Sequence, residues 1–138
     1  MSRKVFVDSD VIFDFLTERE PHNLFAKRLF SMIDRGEIQG FTSPLIFANL
    51  YYLLRKQSGH QAAKTWLRKM KLLFNLLPID GKVVDAALDS PMSDFEDALQ
   101  SHCARAGGMD ILITRNRKDY KESPIPHMTA EEFLGTFV

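Results

Sequence analysis

Apolar residues along this chain fall into two regimes, short unbroken runs of β-formers and longer stretches with helical spacing. "VFV" at 5–7 is the first run, and "IQGFTS", "FNLLPI" and "DILIT" follow it. Polar, Gly or Pro positions bound each run, as they bound a buried strand. Between the runs the period changes. In 22–35, Phe25, Leu29, Met32 and Ile33 fall at i, i+4, i+7 and i+8, which builds one helical face, and Gly36 closes it. Ser43-Pro44 predicts an N-cap with Pro at the first helical position, for a helix from 44 to about Ser58 that stops at Gly59. A further helix is predicted over about 60–72, with Arg68, Lys69 and Lys71 near its C-terminal end, where the dipole favours cations. Pro78 ends the third strand, and Asp80 caps a short helix over 81–88. Ser93 and Glu96 read as a capping box for a helix to about Ala106, closed by Gly107-Gly108. "IPHM" predicts a short fifth strand at a sheet edge, where Pro126 is tolerated. Thr129 and Glu132 form a second capping box that starts the last helix.

Strands separated by helices, with continuous apolar runs, imply a parallel sheet covered on both faces. The predicted fold class is therefore α/β, a three-layer α/β/α sandwich around a mostly parallel sheet of 4–5 strands. With 138 residues, the chain is expected to form a single domain, 1–138. Such sheets place ligands outside the carboxyl ends of their strands.

Composition changes this picture little. The chain is 45% hydrophobic and 26% charged, ordinary for a globular protein. Its 18 basic and 18 acidic residues cancel, so only the placement of charge can argue for a partner. Cys103 is the single cysteine, which excludes an intrachain disulfide, and its apolar helical setting makes it a core residue. No signal peptide and no long apolar window stand out, so the expectation is a cytoplasmic protein with no membrane partner.

The chemistry sits in three short segments. "KVFVDSDVIFDFL", 4–16, carries three carboxylates among apolar residues, and carboxylates are costly to bury unless paired, hydrogen-bonded or bound to metal. Asp8 directly follows the first strand, Asp10 can cap the next helix, and Asp14, one turn on, reads as solvent-facing. In "SDFEDAL", 93–99, capping accounts for Ser93 and Glu96 and the helix dipole for Asp94, which leaves Asp97 over. In "ITRNRKDYK", 113–121, Thr114 and Asn116 leave a strand end, and Asp119 stands among Arg115, Arg117, Lys118 and Lys121. Those four cations form a rim suited to a nucleic-acid backbone. Together the segments place Asp8, Asp97 and Asp119 on one side of the sheet. Converging carboxylates repel unless protons or cations neutralise them. Hard oxygen donors suit Mg²⁺ or Mn²⁺, ions that assist phosphodiester cleavage.

These same segments resemble the PIN-domain family, nearly end to end. "VFVDSDVIFDFL" resembles its opening strand–loop–helix motif, with Asp10 where Asn is common. "TSPLIFANLYYLLRK" resembles its second helix, and "DFEDAL" and "ITRNRKDY" its third and fourth acidic motifs. The resemblance implies a metal-dependent ribonuclease, often the toxin of a bacterial toxin–antitoxin pair, with RNA as substrate, an antitoxin protein as partner and a homodimer as assembly. It implies Asp8 and Asp97 as the main metal-binding acids and Asp119 as a later acid. Asn116, where many relatives have Asp, becomes a weaker ligand or a hydrogen bonder, and Thr114 helps to orient the site. One position departs from the pattern. The family's second helix usually carries Glu where this chain has Asn49. Leu45, Asn49 and Tyr52 fall at i, i+4 and i+7, so Asn49 is expected to face inward. An amide brings no negative charge, so the site loses one acid and its activity is expected to be weakened. Glu96 and Asp94 are the acids that can compensate, although capping already accounts for both. Adjacent Tyr51 and Tyr52 cannot both face one helix core, and their amphipathic rings suit a dimer interface.

Two other readings use the same residues. A catalytically inactive PIN-like module could bind nucleic acid or protein through the basic loop. "VFVDSDVIF" also resembles the opening of haloacid-dehalogenase-like phosphatases, whose first Asp is a nucleophile, but "DILITRN" lacks the acidic pair those enzymes need after a later strand.

Overall fold

A computed structural model describes residues 2–137. Five strands form one sheet: β1 (Lys4–Val7), β2 (Gln39–Thr42), β3 (Asn75–Leu76), β4 (Ile111–Ile113) and β5 (His127–Met128). Their order is β3-β2-β1-β4-β5 and each pairing is parallel. The helices between them are α1 (Ser9–Leu16), α2 (His22–Asp34), α3 (Pro44–Ser58), α4 (His60–Leu73), α5 (Gly81–Leu88), α6 (Phe95–Ala106) and α7 (Ala130–Gly135). A single 3-10 turn, Arg117–Tyr120, links β4 to β5. The α/β class and the parallel sheet are as the apolar pattern predicts.

The core is built on β1. Val5, Phe6 and Val7 are all fully buried, and successive strand residues point to opposite faces, so helices cover both. β4 is buried along its length in the same way. Cys103 is buried too, as its apolar setting requires. In β2, Gly40 stands opposite Val5. A Cβ there would come within 2.7 Å of Ile33 on α2, so the missing side chain lets that helix seat against the sheet. "IPHM" does form an edge strand, where the Pro126 carbonyl accepts from Leu112 N at 3.0 Å. The second capping box also forms, with Thr129 Oγ1 accepting from Glu132 N and Glu132 Oε1 from Thr129 N.

The first capping box does not. The N-cap of α6 is Asp94, whose Oδ1 accepts from Asp97 N at 2.9 Å. Ser and Asp are comparable caps, and a carboxylate gains further from the helix dipole, so the helix starts one residue later than expected. Glu96 then falls where it cannot reach back to a cap, and its carboxylate is left for another role. Among the described residues no helix is long and apolar enough to cross a membrane.

The chain leaves β1 toward β2 and β3 on one side, then returns to β4 and β5 on the other. The switch point lies between β1 and β4, and parallel α/β sheets bind ligands just beyond such a point. Asp8 N donates to the Ile113 carbonyl at 2.9 Å, so the residues that follow these two strands, Asp8 and Thr114, emerge side by side.

Candidate active site

Asp8 ends β1 and caps α1, with its Oδ1 accepting from Ser9 N at 2.8 Å. Its Oδ2 accepts from Thr114 Oγ1 at 2.9 Å and from the Tyr120 hydroxyl at 3.1 Å. The same hydroxyl lies 3.3 Å from Asp97 Oδ1. Asp8 and Asp97 thus converge on one phenol at the carboxyl edge of the sheet. Asp97 comes from the first turn of α6, pointed inward by the cap at Asp94.

Asp10 is the third acid here. Its Oδ2 accepts from Arg115 N at 3.1 Å, with Thr114 Oγ1 at 3.3 Å, while its Oδ1 is buried with no partner. Capping falls to Asp8, two residues nearer the strand, so Asp10 is free to reach the loop after β4. Asp119 stands at the rim, exposed, and its carboxylate takes a short hydrogen bond from the Asn116 amide. Asn116 N in turn donates to Thr114 Oγ1 at 3.0 Å. Of the residues expected to hold metal, Asp8 and Asp97 come together, whereas Asp119 and Asn116 satisfy each other beside them.

Crowding and burial show in the acidities. Burial, opposed by its hydrogen bonds, holds Asp8 above the ordinary carboxylate range, and the Glu96 charge adds to this. Burial and then the Asp8 charge push Asp10 up to about 7. Asp97 also reaches about 7, through burial first and then repulsion from Asp94, Asp8 and Asp119. Asp119 is therefore near enough for its charge to act on Asp97.

Several expected roles change. Asp14 is not solvent-facing; it is 1% exposed and forms a two-point ion pair with Arg115, Nε at 2.5 Å and a terminal nitrogen at 3.2 Å. Arg115 is accordingly an internal partner and not a free phosphate contact, because β4 delivers it directly over α1. Arg117 is engaged too, with Glu132 at 2.9 Å, though in solvent. Lys118 and Lys121 have no ion pair among the described residues and line a cleft with Ser93 and Asp119. On α3 the buried stripe is Ile46, Leu50 and Leu54, one residue on from Leu45 and Asn49 and two from Tyr52. Tyr52 is 65% exposed. Asn49 sits at the border, half-buried, and its amide donates a short hydrogen bond to Glu96. Tyr51 is half-buried, bonded to His60 at 2.7 Å.

Sequence reasoning missed Tyr120. The available signal was an aromatic residue directly after the polar run "TRNRKD", out of place in a solvated loop. It also missed the Asp14–Arg115 pair, whose members are about a hundred residues apart and carry no local signature.

The donors suit a hard divalent cation: carboxylates with raised pKa values, drawn together, one with an unpartnered buried oxygen. Among the described residues no three acid, His or Cys side chains converge tightly enough to hold an ion by themselves. Mg²⁺ commonly takes only one or two protein carboxylates and keeps several waters, and here two, Asp8 and Asp97, converge on the Tyr120 hydroxyl.

The sequence model of the PIN domain matches residues 4–118. Ribonuclease VapC1 of Aquifex aeolicus (strain VF5) is 26% identical over 137 residues, covering 96% of this chain and 94% of that protein. Among solved structures, VapBC2 from Rickettsia felis, bound to a DNA fragment from their promoter, superposes with a TM-score of 0.72 at 13% identity, over 91% of this chain and 98% of that one. Mycobacterium tuberculosis VapC20, described as a sarcin–ricin loop cleaving toxin, gives 0.63 at 20% identity, over 78% and 86%. At these identities the two structures bear on the fold alone.

Proposed function

The chain belongs to the PIN-domain family, and from that premise we propose that it is a metal-dependent ribonuclease acting as the toxin of a toxin–antitoxin pair. The observation that carries this reading is the meeting of Asp8 and Asp97 on the Tyr120 hydroxyl at the switch point of the sheet. The similar protein named as a ribonuclease supports RNA as the substrate class, and the antitoxin partner is what the family resemblance implies. Family membership sets aside the dehalogenase-like phosphatase. Its required acid pair is also missing after β4, where Thr114, Arg115 and Asn116 follow.

In this reading Asp8 and Asp97 hold Mg²⁺ or Mn²⁺, with Asp119 and Asn116 at the rim. When bound, the ion supplies positive charge that activates water and stabilises the leaving oxygen. The chain's own residues do the rest. Thr114 and Tyr120 orient the Asp8 carboxylate through hydrogen bonds to the same oxygen. Asp10, whose pKa burial and the Asp8 charge push up to about 7 in the metal-free protein, is placed to take up or release a proton at neutral pH. Lys118 and Lys121 draw the RNA backbone to the cleft beside Asp119. A homodimer belongs to the same proposal, because Tyr52, Leu53 and Phe95 expose apolar surface.

The test is cleavage of a mixed RNA pool with Mn²⁺, beside Asp97→Asn and Asp8→Asn, with circular dichroism to check folding. Metal-dependent cleavage lost in both folded variants is the expected result. Salt-dependent RNA binding with no cleavage in any divalent metal would instead favour the inactive binding module.

A further inference from the structure

We propose that Glu96 supplies the carboxylate that α3 lacks, and that Asn49 is the positioning residue that holds it at the acid cluster. This rests on the metal-dependent reading above and adds to it the residue that restores the missing charge.

Three observations lead here. The cap of α6 falls on Asp94, so Glu96 has no capping duty. Its carboxylate is instead fixed by the Asn49 amide, across 47 residues of sequence. A long, exposed Glu side chain loses rotamer freedom when held, and here it is held in the first turn of α6 beside Asp97. Without a cation that placement is unfavourable, so the bond to Asn49 works against repulsion and is not explained by surface ion pairing. One turn further along α6, Gln100 Oε1 accepts from Ser43 Oγ at 2.7 Å. Glu96 and Gln100 lie at i, i+4 on one face, so this second bond fixes the rotation of α6 that aims Glu96 at Asn49. In this position Glu96 acts by charge and through bound water; direct ligation is not required of it.

A structural clamp would explain the bond equally well, and one substitution separates the two. In Glu96→Gln the side-chain oxygen can still accept from Asn49, so the clamp survives and the charge goes. Calorimetric titration of the full chain with Mn²⁺ is expected to show binding about 10–100-fold weaker, with metal-free melting unchanged or raised. Asn49→Glu combined with Glu96→Gln moves the charge to α3 and is expected to recover most of the lost affinity. If Glu96→Gln binds like wild type while Asp97→Asn does not bind, the inference fails and the ribonuclease reading stands. A double variant no better than Glu96→Gln also overturns the inference, since the charge would then not be exchangeable. A wild-type protein that takes up no Mn²⁺ overturns both.

Discussion

The Tyr120 hydroxyl stands 3.1 Å from Asp8 Oδ2, fully buried, and reaches Asp97 Oδ1 at 3.3 Å. One phenol proton faces two carboxylates, so a single neutral donor stands where a cation would satisfy both. Burial first, then the charges of Asp8 and Asp97, drive the phenol's pKa far above its ordinary value. It therefore remains a donor throughout the physiological range, and as a donor it favours the ionised form of the acids it touches.

Tyr120→Phe keeps the ring and removes that donor. Metal-free stability is expected to fall by about 1–2 kcal/mol, the scale of a buried hydrogen bond left unmade. Urea unfolding of the two proteins measures it. An unchanged midpoint would mean that Thr114 and the Ser9 amide satisfy Asp8 without help.

The parts of this molecule that were legible beforehand are those written in local pattern. Val5, Phe6 and Val7, the Ser43-Pro44 start of α3 and the Thr129–Glu132 box each depend on neighbours a few residues away, and each forms. The acids Asp8 and Asp97 were legible because strand ends and helix starts are where such a sheet collects function. The network that orients them was not. Tyr120 to Asp8, Arg115 to Asp14 and Asn49 to Glu96 are contacts between distant segments, and nothing in either segment announces its partner. The misplaced cap on α6 is a smaller case, a choice between two adjacent good capping residues that tertiary packing makes.

Arg115 is expected to matter for folding more than for RNA. Arg115→Met leaves the Asp14 carboxylate buried and unpaired, a change costing about 3–5 kcal/mol in a dry site. The Arg115 side chain is 32% exposed, and solvent screening brings the expected loss to about 2–3 kcal/mol. Denaturant titration checks it, and Asp14→Asn combined with Arg115→Met should lose less than Arg115→Met alone, because no charge is then stranded.

Of the four cations on the loop after β4, Lys118 and Lys121 are the two outside an ion pair among the described residues. Replacing both with Ala should weaken binding to an unstructured RNA and flatten its salt dependence. For two phosphate contacts on a single strand the log–log slope should fall by about 1.4. Binding isotherms at several salt concentrations decide this. A slope unmoved by the double substitution would place the RNA path elsewhere.

The final expectation concerns pH. Asp10 and Asp97 titrate near 7 in the folded protein, against an ordinary value of 3.8. Across that window the folded state holds more protons than the unfolded chain, so by linkage stability falls as pH rises. The contribution is fully present below the unfolded value and is lost as pH passes the folded one. In chelator, the melting temperature should therefore drop between about pH 5 and about pH 7.5, by several degrees if one to two kcal/mol is lost. Asp97→Asn should reduce that slope, because the amide does not titrate. Divalent metal should act in the opposite sense. Protons compete with it near pH 5, whereas near pH 7.5 the ionised acids bind it, and saturation at about 100 times the dissociation constant adds about 2.7 kcal/mol. Melting curves at both pH values, with chelator and with Mn²⁺, give the four numbers required. A melting temperature that rises with pH in chelator, and gains nothing from Mn²⁺ near pH 7.5, would show that these carboxylates are neither crowded nor waiting for a cation.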